Sequence, residues 1–112
     1  MEEETNNTVT EPTDLENMIS LVKEALSIVS TATIKDNEIT LWIQAAVEDL
    51  SRAGVTAATV STDNWLVKGA IVMYCKANFG MCSLEEKKLA ANTYSLLCNN
   101  LSLSYKVGDD NG

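Results

Sequence analysis

The fold is decided by two stretches of sequence, ITLWIQAAVEDLSRAGV at residues 39–55 and WLVKGAIVMYCKANFG at residues 65–80. Apolar residues recur in both at three- and four-residue spacing, which is typical of amphipathic helices. Gly54 and Gly80 indicate where these helices end, because glycine adopts the left-handed conformation without strain. Neither stretch carries a histidine or a phosphate-binding glycine loop. Both therefore predict packing and assembly rather than chemistry.

A further helix is predicted on either side of this pair. Thr13 and Glu16 form a capping box, in which each side chain accepts a hydrogen bond from the other residue's backbone N–H. Helical spacing continues from there and predicts a first helix that ends near residues 28–30. Ser83 and Glu86 form a second capping box. The fourth helix, which follows it, is predicted to turn five side chains inward: Leu89, Thr93, Leu96, Leu97 and Leu101.

The connections between helices are less determined by the pattern. Residues 27–34 are rich in β-branched side chains, which suit either a short strand or an extended connector. Asp36 and Asp63 precede the second and third helices, and aspartate is a favoured N-cap because its carboxylate accepts from free backbone N–H groups. We therefore predict both aspartates as caps.

We predict an all-α fold, a small bundle of about four helices over residues 13–101. The length of 112 residues fits one domain. Residues 1–12 are predicted to form a flexible acidic arm, and residues 102–112 an extended C-terminal tail. The tail is predicted because Leu101, Leu103 and Tyr105 alternate with polar residues. An extended segment has no partner strand in a helical chain, so these three residues are candidates for docking on a partner protein or a neighbouring subunit.

The third helix is apolar on most of its circumference, which predicts that part of it is buried against another subunit. Gly69 inside it costs about 1 kcal/mol relative to alanine, and either a closely approaching backbone or a tolerated imperfection would account for it. The two tryptophans are predicted to be core or helix-end anchors more than contacts. The candidates for packing between subunits are Trp65, Gly69, Met73 and Tyr74.

Composition excludes several classes of function. The formal net charge of −8 argues against a general nucleic-acid binder and against binding to anionic membranes, because both depend on lysine and arginine. There is no histidine to serve as a base, and the three cysteines are predicted to be reduced thiols without a zinc site. We expect no enzymatic activity, no cofactor and no membrane span, and synthesis in a reducing cytoplasm.

The chain resembles a known family, the small head–tail connector or head-completion adaptor proteins of long-tailed bacteriophages and prophages. The resemblance lies in DxxIxxWIxAAxxDLxxAGV at residues 36–55 and LVKxAIVxYCKANFG at residues 66–80. It continues in YxxL at residues 94–97 and LSLS at residues 101–104, and so covers residues 36–104. The order and spacing of these motifs are more specific than any one of them.

This resemblance implies a mostly helical subunit of a homo-oligomeric ring, commonly dodecameric, in the virion. Such a ring sits beneath the portal protein of the DNA-filled head, extends the DNA channel and offers its lower surface to the next connector, stopper or tail protein. The resemblance brings no catalytic residues with it. DNA passes through such a channel without specific binding.

Two interpretations remain open at this point. In the first, some acidic residues face the channel and keep the duplex mobile by repelling its phosphates. The acids could instead coat the outer surface and serve solubility. The alternative function is a small acidic helical module for protein interaction or regulation, which would be a monomer or a dimer. The sequence does not decide which helix would line a channel.

Overall fold

The computed structural model describes residues 12–111, with side chains as far as Tyr105. The chain forms four helices, which we number α1 (Asp14–Ala25), α2 (Asp36–Arg52), α3 (Trp65–Asn78) and α4 (Leu84–Asn111). Residues 12–111 contain no strand, so the prediction of an all-α bundle is confirmed. The predicted acidic arm at residues 1–12 lies almost wholly outside the described residues.

Helix α1 begins at the predicted capping box. The Glu16 backbone N–H donates to Thr13 Oγ1 at 3.1 Å, and the Thr13 N–H donates to Glu16 Oε1 at 2.8 Å. The helix ends at Ala25, earlier than predicted, because Ser27 takes a left-handed conformation with φ 61°. The Ile28 N–H then donates to the Lys23 carbonyl at 2.8 Å, the bond of a Schellman cap.

The connection from α1 to α2 is a series of turns, which excludes the strand considered for residues 27–34. Lys23, whose side chain is buried, holds it from inside. Its ammonium donates to the carbonyls of Ser30 at 3.2 Å and Ala32 at 2.6 Å. The same ammonium lies 2.8 Å from Asp36 Oδ1, as an ion pair without the alignment of a hydrogen bond. One lysine thus fixes the entry of the chain into α2.

The predicted N-caps of α2 and α3 were each displaced by one residue. Asp36 is the first helical residue of α2, where its carboxylate pairs with Lys23 instead of capping. Asn64, not Asp63, caps α3 by accepting from the backbone N–H groups of Leu66 at 2.9 Å and of the next residue at 3.2 Å. Asparagine and aspartate have similar capping preference, so the chain path decides between such neighbours.

Gly54 closes α2 as predicted. Its φ is +96°, a conformation that few other residues adopt without strain. The Gly54 N–H donates to the Ser51 carbonyl, and the N–H of Val55 donates to the Leu50 carbonyl, both at 3.0 Å. These two bonds complete a second Schellman cap, and Val55 enters the core behind it.

The turn between α3 and α4 is built around a buried phenylalanine. Phe79 ends α3 with its N–H donating to the Cys75 carbonyl at 2.8 Å, and its side chain is 1% exposed. Gly80 follows, and α4 then begins at the second predicted capping box. There the Ser83 N–H donates to Glu86 Oε1 at 3.0 Å, and the Glu86 N–H donates to Ser83 Oγ at 3.1 Å.

The prediction of an extended tail was wrong for residues 102–111, which continue α4 to its end. Leu101 and Tyr105 are four residues apart, so in a helix they turn to the same side, and Leu101 is 3% exposed in the core. Residues four apart also lie on the same side of a strand, which is why Leu101, Leu103 and Tyr105 fit an alternating pattern as well. Burial of Leu101 decides for the helix.

Helix α4 is tied to α2 as well as to α3. Ser102 Oγ donates to the Ala53 carbonyl at the end of α2, at 2.7 Å. Helix α4 has 28 residues and α3 has 14, and Leu97 of α4 lies beside Gly69 of α3. The two helices run in opposite directions from their shared turn, so the last turns of α4 project past the first residue of α3.

The core joins all four helices. Its largest fully buried side chains are Phe79, Met18, Ile39, Ile43, Leu50, Ile71, Val22, Val55, Val67 and Cys75. Helices α3 and α4 share the most extensive contact, and α2 packs on α3 and α1. The molecule measures 51 × 39 × 17 Å, with a radius of gyration of 15.8 Å. A compact domain of this length would have a radius of about 13 Å, so the bundle is a flat slab.

Candidate assembly surfaces

One side of helix α3 is buried in the core, and the opposite side is only partly covered. The buried side consists of Val67, Ala70, Ile71 and Cys75. The opposite side carries four residues within about 100° of one another, which we call the α3 face: Trp65, Gly69, Val72 and Met73. Three of them were predicted to pack between subunits. Trp65 is exposed and the other three residues of the face are half-buried, so this apolar side is only partly covered within its own chain and is a candidate interface.

Trp65 is the most exposed part of the α3 face. Its side chain is 69% exposed, although it is the first residue of α3 and was predicted to be an anchor. The Lys68 ammonium lies 4.0 Å from the centre of its ring, a cation–π contact. Trp42, by contrast, is half-buried and packs against the core. The two tryptophans therefore differ, and only Trp65 is available to a partner.

Gly69 lies at the middle of the α3 face, beside Leu97 of α4. A methyl group placed on its Cα would meet nothing closer than Leu97 Cδ1, at 4.0 Å. That is an ordinary contact, so the folding of one chain does not require a glycine here. The room in front of Gly69 belongs to a shallow cavity of about 430 Å³ between α1 and α3, lined by Leu21, Glu24, Ala25, Trp65, Lys68, Gly69 and Val72.

Helix α4 adds an apolar ridge on the same side of the molecule. Leu89, Leu96 and Leu103 are between 62% and 69% exposed and stand seven residues apart. Leu89 and Leu96 were predicted to point inward, and the structure turns them outward. The small side chain of Ala90 is buried against the bundle in their place, and Leu97 contacts Gly69. Seven-residue spacing was the signal in the sequence that could have identified this ridge.

The outer side of α2 forms the opposite broad side of the molecule. We call it the α2 face, and its residues are Leu41, Gln44, Ala45 and Glu48. Leu41 is 57% exposed and lies about 170° around the helix from the middle of the buried side of α2. Leu41 was not predicted to be a contact residue, since one leucine on a polar helix side gives no periodic signal.

The three docking candidates at the end of α4 have different environments. Leu101 is a core residue, so the structure gives it a role inside the chain. Tyr105 is half-buried and packs against the core. Leu103 is exposed on the ridge. The docking prediction therefore remains for Leu103 and Tyr105 alone.

Tyr74 is half-buried and packs against α4 rather than forming an open surface. Its ring meets that of Tyr94 edge to face, with centroids 5.1 Å apart. Tyr94 Oη donates to Asp49 Oδ2 of α2 at 2.5 Å. Burial, and then this hydrogen bond, raise the pKa of Tyr94, so the phenol stays protonated and keeps its donor role. These contacts fix the position of the ridge relative to α2.

Glu38 ties the start of α2 to the α3–α4 turn. Its Oε2 accepts from the Gly80 backbone N–H at 3.0 Å and from Trp42 Nε1 at 3.3 Å. The hydrogen bond from Gly80 is the main reason why the pKa of Glu38 is lowered. The folded state therefore favours the charged carboxylate.

This lowered pKa predicts how stability depends on pH. A depressed carboxyl pKa contributes stability above the pKa of the unfolded chain, and that contribution is lost as the pH falls through the folded value. Glu38→Gln should therefore reduce the fall in unfolding free energy between about pH 5 and 3, measured by urea denaturation. Glu48→Gln removes the same charge from the same helix and is the control. Equal pH dependence in Glu38→Gln and the wild type would contradict the prediction.

The described side chains offer little for chemistry. No group of histidine, cysteine, aspartate or glutamate among them could hold a metal ion. Burial raises the pKa of the Cys75 thiol to about 12, so it is a poor nucleophile. Within the part of the chain that the structure describes, no helix is long and apolar enough to cross a membrane. The prominent surfaces are apolar and suited to protein contacts.

Comparison with known proteins agrees with the resemblance noted in the sequence. The family model of phage connector proteins matches residues 18–106, which is most of the chain. Neither the curated proteins nor the solved structures include a significant match. The match begins inside α1 and extends into α4, so it includes the α3 face and the whole ridge. The chain thus belongs to the phage connector protein family and is a structural protein of a bacteriophage.

Proposed function

We propose that the chain is the subunit of a ring that lies beneath the portal, joins the DNA-filled head to the tail and extends the DNA channel. The observation that carries this proposal is the α3 face, a partly exposed apolar helix side in a member of the phage connector family. A monomer leaves Trp65 and the leucine ridge in water. A ring covers such surfaces by repeating one contact around an axis.

The charge of the chain fits a channel through which DNA slides. Each subunit contributes a formal charge of −8, and a ring multiplies that charge. Carboxylates repel phosphates and release no counterions, so such a wall does not retain the duplex. Two of the cations are also occupied within the chain, since Lys23 is buried in an ion pair and Lys68 stacks on Trp65.

The end of α4 is the part of the chain proposed to dock on the portal. It projects past α3 and carries the exposed Leu103 and the half-buried Tyr105. A projecting helix end can reach a partner without disturbing the contacts between subunits. The other end of the molecule, at the α3–α4 turn, is then free for the next connector, stopper or tail protein.

Leu103→Ser should weaken binding to the portal about five- to thirtyfold, because a central apolar contact contributes roughly 1–2 kcal/mol. The thermal unfolding of the free chain should be unchanged, because Leu103 is exposed. Binding is measured by biolayer interferometry with the portal of the same phage immobilised. Leu84→Ser is the matched control, since Leu84 is 67% exposed at the opposite end of α4. Equal affinity of Leu103→Ser and the wild type would exclude Leu103 from the docking surface.

Electron microscopy of the chain mixed with its portal tests the proposed function directly. The expected result is an additional ring on the tail-facing side of the portal, with a continuous channel. If the purified chain stayed a monomer or dimer and never bound the portal, the alternative of a small acidic interaction or regulatory module would replace this proposal. Light scattering of the same mixture measures the number of copies per portal.

A further inference from the structure

Gly69 is a cost that the single chain does not need. Glycine in a helix interior is less favourable than alanine, and a methyl group would fit here without a clash. The space in front of Gly69 is bordered by the exposed ring of Trp65 and by Val72, which together line an apolar cavity. This leaves room for another polypeptide backbone to approach α3 more closely than any side chain would allow.

The two broad sides of the slab differ, which limits how copies can meet. The α3 face and the ridge lie on one side, and the α2 face lies on the other. If two copies met through their α3 faces, both α3 faces would be covered in a dimer and no further copy could bind there. Contact between the α3 face of one copy and the α2 face of the next is heterologous, and heterologous contacts generate rings.

The α2 face has the chemistry that the α3 face requires. Leu41 is its exposed apolar side chain, and the small Ala45 beside it permits close helix packing. The α2 face carries the negative Glu48 and, one turn later, the positive Arg52. Lys68, Lys76 and the negative Glu24 border the α3 face, so pairs of opposite charge can form across the contact. Opposite charges at the edge of an interface fix its register.

We infer that the α3 face of one copy is covered by the α2 face of the next copy, with Leu41 seated in the cavity beside Trp65. Gly69 lets the backbone of α2 approach α3 at this contact. The inference names the subunit contact of the proposed ring, and it rests on that proposed function. Each copy would then use its α3 face to bind one neighbour and its α2 face to bind the other, so that assembly propagates in one direction.

Gly69→Ala tests whether the glycine serves the contact between copies or the stability of the free chain. The melting temperature of the free chain should rise by about 4 °C, because alanine favours the helix. Self-association should weaken at least tenfold, measured by sedimentation velocity, because the added methyl holds the neighbour's α2 away. Gly80→Ala is the matched control, since Gly80 has room for a methyl and lies off both faces. Unchanged self-association of Gly69→Ala would overturn the inference.

A mixing experiment tests the direction of the contact. Gly69→Leu blocks the α3 face and Leu41→Glu blocks the α2 face, so each variant alone should remain monomeric. In a mixture, the intact α3 face of Leu41→Glu can bind the intact α2 face of Gly69→Leu, and only one such contact can form. The expected product is a heterodimer and no larger ring. A mixture that stays monomeric, or a Leu41→Glu variant that still self-associates, would overturn the inference.

The wild-type chain with its portal distinguishes this inference from the proposed function. If the wild type forms rings but never binds the portal, the proposed function fails and the inference stands. If Gly69→Leu and Leu41→Glu form the same rings on the portal as the wild type, the inference fails and the proposed function stands. A wild type that stays monomeric on the portal and in solution at about 1 mM, where even a contact of about 4 kcal/mol would be half-occupied, overturns both.

Discussion

Phe79→Ala should lower the free energy of unfolding by about 3–5 kcal/mol, which is a large share of the roughly 5–15 kcal/mol that a domain has. Phe79 is 1% exposed and is the largest fully buried side chain in the described core. It ends α3 and lies with Leu26 and Ile28 along the edge of a surface cavity. Its loss would therefore leave a void where α1 meets the α3–α4 turn. Urea denaturation measures the change.

The conservative variant Phe79→Leu is the control for size, and it should cost less than about half as much because most of the volume is kept. Assembly should follow stability here, because the Phe79 turn sets the position of α4 beside α3. If Phe79→Ala unfolded at the same urea concentration as the wild type, the side chain would not be part of the core. That outcome would also question the position of the turn.

Lys23→Met should destabilise the chain by about 2–4 kcal/mol, because it leaves a carboxylate and two carbonyl groups without their partner. The side chain of Lys23 is 6% exposed and that of Asp36 is 33% exposed. Since Asp36 keeps some contact with water, the loss should be smaller than for a fully buried pair. Thermal unfolding followed by circular dichroism measures the change. Because residues 27–35 depend on Lys23, proteolysis within them should also accelerate.

A double-mutant cycle with Asp36→Asn separates the ion pair from the other two bonds. The double variant should be more stable than the sum of the two single losses predicts, by about 0.5–3 kcal/mol, because the lone carboxylate is no longer left behind. Strict additivity would mean that Lys23 acts through the Ser30 and Ala32 carbonyls alone. The cycle thus tells which of its partners is important.

The sequence was sufficient wherever a local signal determined the structure. The capping boxes at Thr13 and Ser83 form as predicted, and Gly54 closes α2 in a left-handed conformation. Each of these features depends on residues within one turn of the chain. The order and number of the helices follow from the same local patterns, and so does the exposed, apolar character of α3.

The sequence failed where the partner of a helix decides its orientation. Leu89 and Leu96 were expected inside, but Ala90 is buried instead, because the close packing of α3 on α4 leaves room for a small side chain. Leu101 and Tyr105 fit both an alternating and a helical pattern, and only the buried position of Leu101 decides. Periodicity shows that a helix has an apolar side, and it does not show which of two apolar sides is covered.

The candidate surfaces also divide into residues that the sequence predicted and residues that it did not. Trp65, Gly69 and Met73 were singled out from the sequence because α3 carried more apolar residues than one core needs. Leu41 was not, because its proposed role depends on a second copy of the chain. Of the two faces in the proposed contact, only the α3 face has a signature in the sequence.

The thickness of 17 Å has a consequence for how this protein can evolve. In so thin a molecule each core side chain lies within one helix diameter of a broad outer side. A change in the volume of Ile71 or Ala70 would therefore displace the α3 backbone that carries Trp65 and Gly69, and so alter the fit of the proposed contact with a neighbouring copy. Core and contact surface cannot drift independently, and we expect substitutions in lineages of this chain to occur as coordinated sets that span the two.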